Sequence, residues 1–462
     1  MKKKVLLLNP PGKKVYVRDY YCSKVSKTNY ILHPVDLTVQ SGILSQKYDV
    51  SVIDAIAEKL KPDECFQRIM KIKPDAIVFL SGSISYEEDM PFMKKVKESL
   101  GNVKLIVSGD LFMEDPIKHM KKHEIVDAAM LDFTTEDVIH FLEGEKEKIG
   151  FLAYREGNKI IKPDINRNKI RNYDVPIPRY ELFPNNNYRF PFVKRYPMAT
   201  LMSDYGCPYT CTFCIISTIG FKLRSVDKVV EELKYLKKLG MKEVFFIDQT
   251  FAVNRPRTKE LLDKMIAEKL NLGWTCFSRV DVVNEDILQL MKRAGCHTIM
   301  LGVESGSQEI LNNVDKRTTI EKIKNTFALC RKLGIKTLGT FILGLPGETE
   351  ETINKTIKFA REIKADYVAF NIAIPRMNTK LRREAVDKKL ITDELDVMDQ
   401  SGTYAVMGTG ELTLERVREL KRKAVKEFYF RPDYLFNRLV DIETFAEFKS
   451  NIQDAMAIMQ NM

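Results

Sequence analysis

Six apolar, strand-like runs from residue 198 onward each end in a polar or glycine-containing turn. They cover residues 198–204, 243–248, 272–277, 298–303, 337–343 and 367–372. Amphipathic helix patterns separate them, as where Val229, Val230, Leu233 and Leu236 keep one helix face apolar. Repeated strand–helix units curl into a barrel whose active site lies at the carboxyl ends of the strands. The turns after the six runs are therefore the predicted location of functional residues.

A second strand–helix alternation occupies the N-terminal third of the chain. Strands are predicted at 4–9, 49–54, 76–81, 104–108 and 128–131, and helices at 35–44, 62–70, 87–100 and 115–122. This pattern indicates a parallel sheet with helices on both faces, whose ligands bind at the carboxyl ends of the strands.

The predicted fold class is therefore α/β, with four parts along 462 residues. They are a doubly wound, Rossmann-like domain (1–145), a linker with a polar hairpin (146–196), a partial six-unit β/α barrel (197–395) and a small helical C-terminal segment (396–462). In the last part, helices are predicted near 414–430 and 442–459.

Three cysteines follow the first run of the barrel at the spacing C-x3-C-x2-C, in the sequence CPYTCTFC. They are Cys207, Cys211 and Cys214. Thiolates are soft anionic ligands that bind iron well, and a four-iron cluster usually takes four of them. Three local cysteines leave one iron open to a small chelating molecule. The alternative is a zinc or structural site, but zinc sites prefer paired C-x2-C units or added histidines, and no histidine lies nearby.

Charge and cysteine usage exclude several classes of protein. The net charge is +11, but basic residues are interleaved with acidic ones, which indicates a solvated surface and no clear nucleic-acid-binding patch. Eight cysteines in this length are not a disulfide scaffold. The N-terminal apolar run stops at Leu8, too short for a secretory signal, and no stretch is long enough to span a bilayer. We therefore expect a cytoplasmic protein without a transmembrane segment.

The cysteine motif, with the aromatic Phe213 before its third cysteine, resembles the radical S-adenosylmethionine (SAM) superfamily. So do the runs GVESG at 302–306 and GLPGET at 344–349. The resemblance implies a [4Fe-4S] cluster on the three cysteines, with SAM bound to the open iron. Reductive cleavage of SAM would then give a 5′-deoxyadenosyl radical.

The resemblance also implies SAM-binding positions at the strand ends. Asp248 and Gln249 would lie near the SAM amino group, Glu304 at its ribose hydroxyls or amino group, and Lys316 at its carboxylate. The glycines of the GLPGET run would allow the backbone to approach the adenine and methionine parts of SAM closely. Arg279 faces the predicted barrel mouth, where its guanidinium group, a planar fork of N–H donors, could bind a carboxylate in bidentate fashion. The predicted SAM site comprises Phe213, Asp248, Gln249, Arg279, Glu304, Lys316, Gly344 and Glu348.

The N-terminal region resembles the cobalamin-binding domain of cobalamin-dependent radical SAM enzymes. The opening VLLLNPP at 5–11, VIDA at 52–55 and PDAIVFL at 74–80 carry the resemblance. It implies cobalamin contacts at the turns after three strands, namely Asn9, Pro10, Ser81, Gly82, Ser83, Ser108 and Gly109.

These resemblances predict a radical SAM enzyme that abstracts hydrogen from an unactivated carbon and then transfers a methyl group from cobalamin, a C-methyltransferase. One alternative is a radical cyclisation, rearrangement or C–C bond formation without methyl transfer. Another is a non-catalytic iron–sulfur electron-transfer or binding protein. The expected partners are an external electron donor such as flavodoxin or ferredoxin, and a small-molecule, lipid or peptide substrate.

Overall fold

A computed structural model describes residues 2–21, 23–26, 30–165, 171–392 and 406–440 of the chain. The chain divides into two compact units. Unit 1 comprises Met1–Phe190 and Lys222–Gly240, and unit 2 comprises Pro191–Phe221 and Met241–Met462. The helix predicted at 442–459 lies outside the described residues.

The strands, numbered in chain order, are β1 (Lys4–Asn9), β2 (Tyr16–Val17), β3 (Lys24–Val25), β4 (Asp49–Asp54), β5 (Ala76–Leu80), β6 (Lys104–Ser108), β7 (Ala128–Met130), β8 (Leu152–Glu156), β9 (Lys159–Ile161), β10 (Met198–Leu201), β11 (Asp204–Gly206), β12 (Phe221–Leu223), β13 (Glu243–Phe246), β14 (Gly273–Arg279), β15 (Cys296–Glu304), β16 (Lys336–Leu343) and β17 (Tyr367–Ile372).

The helices are α1 (Val35–Ser45), α2 (Pro62–Ile72), α3 (Tyr86–Leu100), α4 (Asp110–Glu114), α5 (Pro116–Lys122), α6 (Asp137–Glu143), α7 (Val226–Lys238), α8 (Arg255–Ala267), α9 (Glu285–Arg293), α10 (Gln308–Asn313), α11 (Ile320–Lys332), α12 (Glu350–Glu362), α13 (Lys380–Asp387), α14 (Leu414–Tyr429) and α15 (Pro432–Val440).

Unit 1 is built on a seven-stranded sheet in the order β4-β1-β5-β6-β7-β8-β9. The first five strands are parallel, and the hairpin β8–β9 adds two antiparallel strands. The chain order reverses between β1 and β5, which is the switch point where doubly wound sheets form a ligand crevice. β1 and β5 are almost entirely buried, as expected for strands covered on both faces.

The segment 222–240 belongs to unit 1 through buried polar contacts. Lys222 Nζ lies 2.5 Å from Asp132 Oδ2. The Tyr180 hydroxyl donates to Glu232 Oε1 at 2.7 Å, and Arg224 pairs with the other oxygen of Glu232. Since all of these side chains are buried, each depends on its partner to avoid an uncompensated polar group.

Unit 2 is built on a six-stranded sheet in the order β10-β13-β14-β15-β16-β17, with every pair parallel. Sequential order and parallel pairing are the pattern of a β/α barrel, and in the described residues β10 and β17 are its edges, so the barrel is partial. The buried rings of Phe246 and Trp274 pack edge to face, and Phe251 packs against both at a tilt. The structure confirms the predicted fold class. No described helix is both long and apolar enough to cross a bilayer.

Candidate functional site

The cysteine loop, residues 207–214, follows β11 directly in unit 2. Gly206 enters the loop with a φ of +79°, and a Cβ there would lie 1.9 Å from the Gly220 carbonyl oxygen. The Cys207 N–H donates to that same carbonyl at 3.3 Å. The loop therefore leaves the sheet through a turn that only glycine fits, and its first cysteine is held at that turn.

The three thiols lie at different depths of the loop. Cys211 is buried, whereas Cys207 and Cys214 are half-buried, and Cys207 Sγ lies 3.3 Å from Thr250 Oγ1. Burial, reinforced by the other two cysteines, raises the pKa of Cys214 to about 12. Burial also raises the pKa of Cys207. Because metals bind the thiolate, loading this loop with metal would release protons.

In the part of the chain that the structure describes, no group of three or more His, Cys, Asp or Glu side chains is arranged to hold one metal ion. A cubane does not need such convergence, because each of its cysteines ligates a different iron atom.

Arg279, at the end of β14, is directed to the cysteine loop. Its Nη1 lies 3.4 Å from Cys211 Sγ, and its guanidinium stacks 3.8 Å from the centre of the Tyr209 ring. Both oxygens of Asp281 accept from the fork, at 2.9 and 3.0 Å. The hydrogen bonds and charge of Asp281 outweigh burial and raise the pKa of Arg279. Since the fork is filled by Asp281, a direct contact of Arg279 with SAM stays a prediction.

Glu304 and Lys316 form a buried ion pair at 2.6 Å, where β15 ends. Glu304 has a φ of +67°, and the register of β15 against β16 shifts at this point. Left-handed backbone is uncommon for a residue with a side chain and concentrates at functional sites. The left-handed turn therefore places a buried carboxylate and a buried ammonium group in direct contact, and a role for either of them at SAM stays a prediction.

Gly302 makes room for this ion pair. A Cβ at position 302 would lie 2.5 Å from Glu304 Oε1 and 2.8 Å from Lys316 Nζ. The glycine of the GVESG run is therefore explained by the space that the two charged side chains need.

Asp248, after β13, is buried and already hydrogen-bonded. It accepts from the backbone N–H groups of Ser203 and Asp204, at 2.6 and 3.2 Å. Burial raises the pKa of both Asp204 and Asp248, and the charge of Asp248 raises that of Asp204 further. Asp204 was not predicted as a site residue, although its position between an apolar strand and the cysteines could have indicated one.

Two other predicted SAM-binding residues, Gln249 and Phe213, also belong to unit 2. Gln249 donates from Nε2 to the Ile247 carbonyl at 3.3 Å. Phe213 is partly buried and packs against the apolar cluster that contains Ile310, Val314 and Leu345. Their contacts with SAM stay predictions.

Glu348 stabilises the glycine turn after β16. Its Oε2 accepts from the N–H groups of Gly344 and Leu345, at 2.7 and 3.0 Å, and Gly344 has a φ of +84°. Glu348 is fully buried, and burial raises its pKa to about 8. In this structure the carboxyl group stabilises the turn through hydrogen bonds to its backbone. A role at SAM for Glu348 or Gly344 stays a prediction.

The residues predicted to contact cobalamin lie at the carboxyl ends of β1, β5 and β6 in unit 1. They are Asn9, Pro10, Ser81, Gly82, Ser83, Ser108 and Gly109. In this structure Asn9, Pro10 and Gly82 lie against described residues of the segment that connects β1 to α1. A Cβ on Gly82 would lie 2.0 Å from Ser23 Oγ, and the Ser23 N–H donates to Asp110 at 3.1 Å.

Arg18 anchors this segment at the switch point. It is buried, donates to Asn9 Oδ1 at 2.9 Å and the Pro10 carbonyl at 2.8 Å, and pairs with buried Asp89. The sequence analysis missed Arg18, because a single arginine in a loop carries no periodic signal.

A buried carboxyl group, Asp36, lies at the start of α1. Ser108 donates to its Oδ2, while its Oδ1 has no hydrogen-bond partner, and neither has Oε1 of buried Gln40. Burial, aided by the neighbouring Asp19, raises the pKa of Asp36 to about 8. Two buried oxygen atoms of α1, Asp36 Oδ1 and Gln40 Oε1, thus lack a hydrogen-bond partner.

Comparison with known proteins identifies the family. The model of the radical SAM superfamily matches residues 204–360. The uncharacterized methyltransferase PH0819 of Pyrococcus horikoshii is 32% identical over 450 residues, covering 95% of each chain. The chain therefore belongs to the radical SAM superfamily of enzymes. Within it, the chain is a member of the family of this Pyrococcus protein.

Two solved structures share the fold. The radical SAM methyltransferase TsrM of Kitasatospora setae, described with cobalamin and a [4Fe-4S] cluster, aligns with a TM-score of 0.66 at 17% identity over 84% of this chain and 78% of that one. OxsB, a cobalamin-dependent SAM radical enzyme described with aqua-cobalamin and SAM, aligns with a TM-score of 0.72 at 15% identity over 99% of this chain and 72% of that one. At these identities the likeness concerns the fold.

Proposed function

We propose that this protein is a cobalamin-dependent radical SAM methyltransferase. It would abstract a hydrogen atom from an unactivated carbon of its substrate and place a methyl group there. The observation that carries the proposal is the cysteine loop, with Arg279 and the strained Glu304–Lys316 pair beside it at the strand ends of one parallel sheet. The Pyrococcus relative that spans nearly the whole chain is named a methyltransferase.

Cys207, Cys211 and Cys214 would hold a [4Fe-4S] cluster, because three soft thiol ligands in one loop suit three corners of a cubane. When bound, the cluster supplies the electron that cleaves SAM to the 5′-deoxyadenosyl radical. Glu304 would accept hydrogen bonds from the SAM hydroxyl or amino groups, and Lys316 would bind its carboxylate. The buried setting strengthens both interactions and keeps water away from the reactive species.

Unit 1 would hold cobalamin, which supplies the methyl group when bound. The sheet order places a switch point between β1 and β5, and the partnerless polar atoms of Asp36 and Gln40 would pair with the amide groups around the corrin ring. Unit 1 thus offers buried polar atoms that fit the amide-rich edge of this cofactor.

The electron would come from an external carrier such as flavodoxin or ferredoxin. The cysteines in the described residues are free, which is consistent with the reducing cytoplasm that we propose as the location. A small metabolite, a lipid and a peptide all remain candidate substrates.

The test is anaerobic reconstitution with iron, sulfide and hydroxocobalamin, followed by incubation with SAM and dithionite. We expect a brown protein that retains a corrin spectrum and forms 5′-deoxyadenosine. Cys211→Ala should abolish both the cluster and 5′-deoxyadenosine, whereas Cys330→Ala, at a buried cysteine in α11, should retain them.

The outcomes separate the alternatives. Formation of 5′-deoxyadenosine without retained corrin would contradict the methyl-transfer proposal and favour another radical reaction. A stable cluster with no 5′-deoxyadenosine would indicate an electron carrier, and equal activity of Cys211→Ala and the parent would refute the cluster assignment.

A further inference from the structure

Arg279 donates a hydrogen bond to a cysteine of the loop. Its Nη1 lies 3.4 Å from Cys211 Sγ, a normal separation for an N–H donor and a sulfur acceptor. Cys211 is also the most deeply buried of the three cysteines. A hydrogen bond at this position is therefore shielded from water.

The guanidinium cannot easily turn toward another partner. Asp281 binds two of its nitrogens, the Lys316 carbonyl accepts from Nη2, and the Tyr209 ring lies against its face. A fork held in this way keeps its remaining N–H aimed in one direction. The structure thus fixes one donor on one sulfur.

We propose that Arg279 is a positioning residue that sets the reduction potential of the cluster through its hydrogen bond to Cys211. This inference rests on the proposed function only in taking Cys211 as a cluster ligand. It gives Arg279 a role different from the SAM contact that the sequence predicts.

The sign of the effect follows from charge. Reduction adds one electron from the external donor to the cluster, so the reduced state is the more negative one. Hydrogen bonds to cluster sulfurs and nearby positive charge are among the factors that set iron–sulfur potentials, and both stabilise the more negative state. Arg279 therefore makes the cluster easier to reduce, and its removal makes reduction harder.

The chain offers a matched control for charge alone. Arg317 is also cationic and interacts electrostatically with Cys211, but its side chain is 61% exposed, and its guanidinium group binds Asp315 and the Thr210 hydroxyl rather than a cysteine. Water screens such a charge strongly. Arg317→Met removes a positive charge close to the same cysteine without removing a buried hydrogen bond to sulfur.

Removing Arg279 alone would leave Asp281 as an uncompensated carboxylate near the cluster. The informative comparison is therefore Asp281→Asn against the double variant Arg279→Met/Asp281→Asn, which differ only at Arg279. Each is reconstituted anaerobically without SAM, its iron is counted, and its cluster is titrated with dithionite and mediators while EPR and absorption are followed.

We expect the double variant to have an equilibrium constant for cluster reduction about tenfold smaller than that of Asp281→Asn, a shift of roughly 59 mV for one electron. Arg317→Met should stay close to the parent. Equal potentials of the double variant and Asp281→Asn at equal iron content would refute the proposal, as would an equal shift from Arg317→Met.

If the double variant fails to take up iron, Arg279→Lys serves as the second test. It keeps the charge but lacks the fork, so we expect a potential below that of the parent, and an unchanged potential would refute the proposal. The readout needs neither substrate nor SAM cleavage. Failure of the methyltransferase assignment would leave the potentials measurable, and the two hypotheses fail independently.

Discussion

Glu348 is a buried carboxyl group whose protonation contributes to stability. Burial raises its pKa to about 8 in the folded protein, against 4.5 for a free glutamate, although two backbone N–H groups oppose the shift. Between these values the folded chain binds a proton that the unfolded chain releases. The stabilisation is therefore complete at acidic pH and is lost as the pH rises through about 8.

We predict that Glu348→Gln flattens the pH dependence of folding. A glutamine still accepts from the N–H groups of Gly344 and Leu345 but has no proton to lose. The free energy of unfolding of the variant should therefore change less with pH between about pH 5 and 8, by up to ~1.4 kcal/mol per pH unit. Urea unfolding at several pH values measures it. Glu351→Gln, at an exposed position of α12, is the control and should keep the parent slope. Parallel curves for Glu348→Gln and the parent would contradict the prediction.

Gly302 allows a separate test of the ion pair. A methyl group there meets only the ends of the Glu304 and Lys316 side chains, which can move, so Gly302→Ala should fold normally while displacing the pair. If these groups bind SAM, we expect its dissociation constant to rise about tenfold, the loss of one charge-assisted hydrogen bond.

Equilibrium dialysis with SAM and a thermal melt measure the two effects of Gly302→Ala. Gly150→Ala is the control, because a Cβ at Gly150 meets nothing within 4 Å. Unchanged SAM affinity in Gly302→Ala would exclude the pair from the nucleotide site.

At the scale of elements, the contacts of the connection from β1 to α1 were the hardest feature of unit 1 to predict from the sequence. Many strands and helices could be predicted because their apolar periodicity is local, and the bounds of α1 and β5 differ from the prediction by one residue. The helices α4, α6 and α15 were not predicted. The Arg18–Asp89 contact joins residues 71 apart in sequence, and neither residue stands in a motif.

The candidate site of unit 2 was predictable where its signal is local in sequence. GVESG and GLPGET mark strand ends by their residue types, whereas the partners of Asp248 and Arg279 depend on how separate turns fold together. Asp281 is an exception: it stands two residues after Arg279, and alternate residues share one side of an extended chain. That spacing could have indicated that the fork already had a carboxylate.

We predict that Arg18→Met destabilises unit 1 by about 3–5 kcal/mol, because it leaves buried Asp89 without its counter-ion. Arg68→Met, which breaks the pair with Glu58, is the control at an arginine that is 50% exposed. It should cost less than about 1 kcal/mol. Similar losses for both variants in chemical denaturation would show that the connection is not anchored by Arg18.

On the scale of the whole molecule, unit 1 is discontinuous in sequence. The buried Asp132 and Tyr180 find their partners in Lys222 and Glu232, which come after the cysteine loop. We predict that a fragment of residues 1–190 melts at a lower temperature than the same fragment joined to residues 222–240 by a flexible linker. Lys222→Met in the joined fragment should remove part of the gain, and equal melting temperatures of the two fragments would contradict the assignment.

This interleaving limits how such an enzyme can be assembled or re-engineered. Because the chain leaves unit 1, contributes the cysteine loop to unit 2 and then returns, no single crossover in the gene exchanges one unit for that of a relative and leaves the other unit whole. Recombination that preserves both units has to bring residues 1–190 and 222–240 from the same parent. These two segments are therefore expected to be inherited together, and a chimaera joined at a single point divides at least one unit between two parents.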